Sequence, residues 1–254
     1  MRALSDHTSD HTTRPTTELA TPACALAVGA HPDDIEFGCG ATLAKWAAAG
    51  CDIHHLVCTD GSKGSWDPGQ DTAELVALRR DEQRAAAHAL GGTADVTFLG
   101  WTDGELEAGL RQRWELAYHI RRLRPDVVLG HDPGRRYRLH PDHRAAGFLV
   151  TDAIVAARDP HFFPEQGVPP HRPSTLLLWE PDEADHVEDA SGHFETKLAA
   201  LLAHRSQLRS TMGIDEGGQE EVSAFRRRTR DHLAAHGKLA GLALGEAFKR
   251  MDDL

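Results

Sequence analysis

Two short segments of the sequence bring histidine and aspartate together. Segment 31–34 (HPDD) follows an apolar run at 24–30, and segment 140–143 (HPDH) lies beyond a second apolar run at 126–130. Imidazole and carboxylate are the ligands of a catalytic zinc ion, which keeps three protein ligands and an open position for water. Iron(II) also accepts two histidines and one carboxylate. The two segments therefore predict a divalent-metal site, provided that the fold brings them together.

The first segment can supply two ligands to one ion, because His31 and Asp34 are three residues apart in a turn. The third ligand must then come from the second segment, where the spacing alone leaves both His140 and His143 open. An Asp or His after a strand can also simply cap the following helix. The repetition of the same pattern at two strand ends is what favours a metal site.

The elements around these segments alternate between strand and helix. Apolar runs predict strands at 24–30, 52–58, 96–99, 126–130 and 175–179, and helical patterns predict helices at 38–49, 72–90, 110–123, 143–157, 192–209 and 221–250. Such alternation is typical of an α/β fold with a Rossmann-like, mainly parallel sheet and helices on both faces. Ligands bind outside the carboxyl ends of the strands in these sheets, and both segments are expected there.

The composition limits the classes of function. The chain has 254 residues and a formal net charge of −11, which argues for one domain and against a nucleic-acid partner. We expect no membrane span, because no run of 18 apolar residues occurs. Four cysteines without a CxxC pair indicate reduced thiols and a cytoplasmic protein. The polar stretch 1–22 is predicted to be a disordered arm, followed by a single domain at 23–254.

Longer strings around the two segments resemble a known family. Segment 30–40 (AHPDDIEFGCG) resembles the AHPDDxExGxGG signature of the LmbE-like, or PIG-L, deacetylases, and segment 138–147 (RLHPDHRAAG) resembles the family's second motif, HxDHxxxG. The likeness continues to about residue 210. It implies a metal-dependent N-deacetylase that uses zinc, with iron(II) or another divalent ion as the alternative.

The resemblance also implies roles for individual residues. His31, Asp34 and His143 would hold the metal, and Asp33 would be the general base that deprotonates the metal-bound water. A protonated His140 would stabilise the oxyanion. Asp142 would keep that imidazole charged and oriented, because a neighbouring carboxylate favours the cation.

Three further residues are candidates for binding the substrate. Arg79 matches a family arginine near the acyl group, although it could equally be a helix-surface residue. Glu36 is a candidate for supporting a metal ligand or binding the substrate, with an acid at a helix N-terminus as the alternative. Arg138 stands where some family sugar deacetylases carry a tyrosine, and the arginines around it suggest a substrate with a negative group. Trp66 could stack on a sugar or shield the crevice.

The expected reaction is removal of an acetyl group from a small molecule, either an N-acetylglucosamine-type sugar or a glycosylated metabolite. An amidase that cleaves a larger acyl group or a thiol conjugate is the close alternative. A non-catalytic domain that binds a metal or a small ligand is the alternative from another class. Nucleotide binding fits poorly, because acids stand where a phosphate needs glycine N–H groups. The family resemblance also implies a homo-oligomer, a trimer or a hexamer.

Overall fold

One seven-stranded sheet organises the chain. The computed structural model describes residues 14–17, 19–92, 95–215 and 218–254. The strands are β1 (Cys24–Gly29), β2 (Asp52–Thr59), β3 (Val96–Trp101), β4 (Val127–His131), β5 (Thr175–Trp179), β6 (His186–Asp189) and β7 (Gly245–Asp252). The helices are α1 (Asp34–Ala48), α2 (Thr72–Ala89), α3 (Leu110–Leu123), α4 (Pro141–Arg158), α5 (Phe194–Ala203) and α6 (Gln219–Ala240).

The strand order is β3-β2-β1-β4-β5-β7-β6. Strands β1 to β5 are parallel, and β7 pairs antiparallel to both β5 and β6. The chain therefore moves outward from β1 in one direction to β3 and in the other from β4 to β5. The neighbours β1 and β4 form the switch point, where a crevice opens at the carboxyl ends of the strands. The predicted mainly parallel α/β fold is confirmed.

The core lies on both faces of this sheet. Alternate residues of β1 point to opposite sides: Leu26 and Val28 belong to one apolar cluster, and Ala25 and Ala27 belong to the other. Helices α3 and α4 cover the first face, and α1 contributes its buried side chains to the second. A strand that is buried on both faces needs a continuous apolar run rather than an alternating one. This is why apolar runs in the sequence predicted the central strands.

The C-terminal region differs from the prediction. The helix predicted at 221–250 ends at Ala240, because Gly241 takes a left-handed backbone (φ 74°) that terminates α6. The chain then turns back as β7, which pairs with two strands. Neither β6 nor β7 was predicted. The helix predicted at 192–209 also ends early, at Ala203, and a short 3-10 turn follows it.

The predicted N-terminal arm falls largely outside the described residues, since residues 1–13 and 18 are not among them. In the described part, Thr16 joins the sheet edge. Its N–H donates to the Asp185 carbonyl at 2.9 Å, and its own carbonyl accepts from the Val187 N–H at 2.8 Å. Ordered pairing thus begins before the predicted domain start at 23. No helix among the described ranges is long and apolar enough to span a bilayer.

Candidate metal centre

The crevice at the switch point contains both histidine segments. It has a volume of about 460 Å³, within the range of small-molecule sites. Its lining includes the following side chains from the loops after β1, β2, β3 and β4: His31, Asp33, Asp34, Lys63, Asp103, His140 and His143. The fold therefore brings the two histidine segments to one crevice, as the parallel sheet predicted, together with side chains from the loops after β2 and β3.

Three predicted ligands lie at distances that suit a tetrahedral ion. His143 Nε2 is 3.2 Å from His31 Nδ1 and 3.2 Å from Asp34 Oδ1, and the other oxygen of Asp34, Oδ2, is 3.4 Å from His31 Nδ1. Two atoms that each bind a tetrahedral zinc at about 2.1 Å are separated by about 3.4 Å. His143 reaches both partners, which favours it over His140 as the third ligand.

The ring of His31 has a second set of partners on its far side. Its Nε2 lies 3.1 Å from Asp142 Oδ2 and 3.1 Å from Asp103 Oδ1. Burial by itself would lower the pKa of His31, but its bonds to Asp103, Asp142 and Asp34 raise that pKa well above its usual value. A carboxylate that accepts the outer N–H of a histidine orients the ring and makes the inner nitrogen a better metal ligand.

Asp34 is surrounded by imidazole groups. Its Oδ2 accepts the His31 backbone N–H at 2.7 Å and lies 3.2 Å from His131 Nε2. Burial would raise the pKa of Asp34, but the neighbouring His143 and His131 hold it well below its usual value. The carboxylate therefore stays ionised, as a metal ligand must be.

Asp33 lies beside the ligands in a strained turn. It precedes α1 with a left-handed backbone (φ 94°), which is uncommon for a residue other than glycine. The Gln83 side chain accepts its N–H at 3.0 Å and holds this turn in place. Burial and the nearby Asp34 raise the pKa of Asp33 to about 6, against the opposing charge of Arg79 at 3.7 Å. A buried carboxyl with such a pKa suits a general base.

His140 forms one wall of the crevice. Its Nδ1 accepts the Asp142 backbone N–H at 3.3 Å and so caps α4. Its ring lies 4.8 Å from the ring of His143. Burial, together with the charges of His31 and His143, lowers the pKa of His140. The neutral ring is thus favoured over the imidazolium that we expected.

The structure corrects the partner predicted for Asp142. Its carboxylate is fully buried and contacts His31 rather than the ring of His140. Its two oxygens also accept the backbone N–H groups of Gly104 at 2.6 Å and Leu106 at 3.2 Å. Burial would raise the pKa of Asp142, but the bond to His31 and these backbone donors lower it. Asp142 therefore orients His31.

The predicted substrate residues occupy three different positions. Arg79 lines the crevice and donates to the carbonyls of Gly61 at 2.8 Å and Pro32 at 2.7 Å. Glu36 is completely buried and binds Gln83 at 2.7 Å and His204 at 3.1 Å. A substrate role for Glu36 is therefore wrong, because its carboxylate is enclosed and both its oxygens have partners.

Arg138 is not among the described residues that line the crevice. It is buried and reaches the carboxylate of Glu180 at 2.9 Å and the ring of His131 at 3.2 Å. Arg135 binds the same carboxylate at 3.1 Å. The basic rim inferred from the sequence is therefore partly neutralised by Glu180, and a negatively charged substrate stays a prediction.

Sequence reasoning missed two residues at the site. His131 ends β4 and contacts Asp34, and Asp103 follows β3 and contacts His31. Their position at or just beyond the carboxyl end of a parallel strand was the available signal, since the two histidine segments were recognised on the same grounds. Neither residue stands in an HPD string.

The crevice at the switch point defines an α/β protein whose strand ends carry a cluster of possible metal ligands. The model of the family described as "PIG-L: GlcNAc-PI de-N-acetylase" matches residues 26–154, about half of the chain. The protein belongs to the PIG-L, or LmbE-like, family. Its resemblance to that family is thus confirmed, and the family is metal-dependent.

Individual relatives agree with this assignment. The chain is 35% identical to the diacetylchitobiose deacetylase of Thermococcus kodakarensis over 72% of its own length and 69% of the relative. It is 31% identical to a 1D-myo-inositol 2-acetamido-2-deoxy-alpha-D-glucopyranoside deacetylase of Mycolicibacterium vanbaalenii, over 72% of this chain and 80% of the relative.

Among solved structures, the N,N'-diacetylchitobiose deacetylase of Pyrococcus horikoshii, complexed with an inhibitor, superposes with a TM-score of 0.82 and 28% identity. The match covers 91% of this chain and 84% of that one.

Proposed function

We propose that the protein is a zinc-dependent hydrolase that removes the acetyl group from an N-acetylglucosamine-type sugar or a glycosylated metabolite. The named relatives are deacetylases of compounds that carry this acetamido sugar. The product pair is acetate and a free amine. Residues 23–254 are proposed to act as one domain, since the central sheet takes strands from Cys24 to Asp252.

The observation that carries this proposal is the placement of Asp33. A site that only binds a metal needs the three ligands and nothing more. Here Asp33 adds a second carboxylate beside them in the crevice, is 6% exposed, and has a pKa raised to about 6 by burial and by Asp34. A carboxylate with this pKa is ionised at neutral pH and can accept a proton from an attacking water.

The metal is proposed to bind His31, Asp34 and His143. When bound, a divalent ion lowers the pKa of a coordinated water and polarises the acetyl carbonyl. Zinc is the favoured ion because the donor set is two imidazoles and one carboxylate at tetrahedral separations. Iron(II) accepts the same donors and remains the alternative.

Three further side chains have separate proposed roles around the acetamide of the substrate. Asp33 takes the proton of the attacking water. His140 donates a hydrogen bond to the carbonyl oxygen: its Nδ1 accepts a backbone N–H, so the neutral ring carries its proton on Nε2. A neutral donor of this kind stabilises the oxyanion without being an imidazolium. Arg79 holds the loop carbonyls beside Asp33 and thereby positions the base.

The amidase alternative differs only in the size of the acyl group. The fold and the ligands are compatible with both, so the substrate range is the discriminating measurement. A cytoplasmic location, the absence of nucleic-acid and membrane partners, and a trimeric or hexameric assembly stay predictions from the sequence.

The proposal is tested by acetate release from N-acetylglucosamine and N,N'-diacetylchitobiose, beside amides with longer acyl groups, after reconstitution with zinc or iron(II). Asp33→Asn should bind zinc as the wild type does, and its turnover rate should fall about 10²–10⁴-fold. Asp152→Asn, on the outer surface of α4 and paired there with Arg113, is the matched control and should keep full activity.

Two results would contradict the proposal. Turnover of Asp33→Asn at the wild-type rate would remove Asp33 as the base. Absence of turnover by the zinc- and iron-loaded wild type on every acetamido sugar, with turnover of longer amides, would replace the deacetylase with the amidase.

A further inference from the structure

A histidine outside both recognised segments contacts two of the proposed metal ligands. His131 is the last residue of β4 and is 1% exposed. Its ring is stacked on the ring of His143, with centroids 4.4 Å apart and an interplanar angle of 17°. It thus touches two of the three proposed ligands, Asp34 and His143, although no motif contains it.

The partners of His131 Nδ1 determine where its proton lies. The indole Nε1–H of Trp179 lies 3.0 Å from this nitrogen, and Nη1 of Arg138 lies 3.2 Å from it. Both groups can only donate hydrogen bonds. Nδ1 must therefore accept, and the ring is the neutral tautomer with its proton on Nε2.

The other nitrogen meets an acceptor. His131 Nε2 is 3.2 Å from Asp34 Oδ2, which as an ionised carboxylate oxygen only accepts. The Ala30 backbone N–H also points at Nε2, but from 3.4 Å, at the outer edge of hydrogen-bond range. A proton on Nδ1 instead would face two donors and leave a lone pair against the carboxylate. The Nε2–H tautomer is the one that satisfies the stronger contacts.

Asp34 therefore has one oxygen held by two donors. Its Oδ2 accepts from His131 Nε2 and from the His31 backbone N–H at 2.7 Å. Its Oδ1 is left beside His143 Nε2, at 3.2 Å. A carboxylate fixed in this way offers one oxygen to a metal, and its rotation is blocked before the metal arrives.

We propose that His131 is a positioning residue that presents Asp34 to the metal through a single oxygen, with its tautomer set by Trp179 and Arg138. The inference rests on the proposed function only in that it places the metal on His31, Asp34 and His143. It also excludes His131 as a ligand, although the Asp34, His131 and His143 atoms lie within 4.8 Å of one another. A nitrogen that carries a proton cannot bind the ion.

Gly38 makes room for this arrangement. A Cβ added at position 38 would lie 2.5 Å from the Trp179 ring. Any other residue there would push the indole away from His131. The glycine of the first motif is thus explained by the hydrogen bond that Trp179 donates.

Two amide variants separate positioning from simple packing. His131→Gln carries its amide nitrogen near the place of Nε2 and can still donate to Asp34. His131→Asn carries its amide near the place of Nδ1, so it can accept from Trp179 and Arg138 but does not reach Asp34. Zinc affinity of each variant is measured by competition with a chromophoric chelator, and the visible spectrum of the cobalt(II) form reports the coordination geometry.

We expect His131→Asn to lose about 10–100-fold in zinc affinity and to change the cobalt spectrum, as for other residues that orient a ligand. His131→Gln should recover most of the affinity and the wild-type spectrum. Trp179→Phe, which removes one of the two donors to Nδ1 and keeps a ring, should fall between the two. His54→Asn, on β2 and paired with Asp52, should bind zinc as the wild type does.

The opposite order would overturn the inference: if Asn preserved zinc affinity and Gln did not, His131 would matter only as an acceptor for Trp179 and Arg138. Equal affinity in both variants and the wild type would also overturn it. Melting of the metal-free proteins shows whether a variant folds, and Trp179→Phe supplies the test if neither does. Tight zinc binding without deacetylation would refute the proposed function and leave this inference standing.

Discussion

The two segments share the tripeptide His-Pro-Asp, but the histidine and the aspartate have different roles in each. In the first, segment 31–34, the histidine is a proposed ligand and the aspartate faces the crevice. In the second, segment 140–143, the histidine caps a helix and the aspartate is buried behind His31. The pKa of Asp33 is raised to about 6 by burial and by Asp34, whereas that of Asp142 is lowered, because its bonds to His31 and two backbone N–H groups outweigh burial.

The difference comes from where the helix begins. Pro141 is the first residue of α4 and His140 is its N-cap, which places Asp142 in the first turn with its side chain directed inward. Helix α1 begins at Asp34, two residues after Pro32, and Asp33 is the N-cap with a left-handed backbone. The helix starts at the fourth residue of the first segment and at the second residue of the other. The side chains of the same tripeptide therefore face different surroundings. Identical strings therefore do not imply identical roles.

Replacing the histidine of each segment should give the largest contrast. His31→Ala removes a direct ligand, so zinc affinity should fall by more than the roughly 100-fold typical of supporting residues, and activity should be lost with it. His140→Asn keeps an N-cap but withdraws the donor to the oxyanion. Its zinc affinity should stay at the wild-type value, and its kcat should fall about 10²–10³-fold. Metal analysis beside kinetics distinguishes them, and zinc loss in His140→Asn would make His140 a ligand.

Replacing the aspartate of each segment sharpens the contrast in another way. Asp142→Asn weakens the orientation of His31, so zinc affinity should drop about 10–100-fold and excess zinc should restore much of the activity. Asp33→Asn should show no such rescue, because its metal site is intact. A zinc titration of the rate measures this. Restoration of Asp33→Asn by zinc would place Asp33 among the metal-supporting residues.

The same pair should differ in stability. Asp142 accepts three hydrogen bonds while fully buried, and replacing a charged acceptor of this kind costs about 1–3 kcal/mol. Asp33→Gly should lose less, because glycine relieves a left-handed backbone that costs about 1–3 kcal/mol. Denaturant unfolding of the metal-free variants tests this. A larger loss for Asp33→Gly than for Asp142→Asn would mean that the turn depends on the Asp33 side chain.

The smallest effect should come from the helix start itself. Pro141→Ala keeps every ligand and loses only the restriction that proline places on the unfolded chain, so we expect about 0.4–1 kcal/mol lower stability and unchanged zinc affinity. Chemical denaturation and the chelator assay check both. A shift in zinc affinity would show that Pro141 also holds the register of His143.

The sequence predicted the central part of the fold well and its edge poorly. Strands β1, β4 and β5 are buried on both faces, and such strands appear as apolar runs whatever their partners are. Strand β7 contains lysine, arginine and aspartate, and it becomes a strand because it pairs between β5 and β6. That pairing joins positions far apart in the chain, so no local pattern carries it.

For the site, the sequence by itself determined which chemical groups are present and at which strand ends they lie, because residue type and the carboxyl ends of parallel strands follow from local pattern. The tertiary structure alone decided which nitrogen of His31 faces the ligands, that Asp142 serves His31 rather than His140, that Glu36 is enclosed, and that His131 belongs to the centre. Each of these features depends on which group lies within hydrogen-bond distance of a given polar atom. In this protein those partners come from Trp179, Arg138, Asp103 and His204, and only packing brings them there.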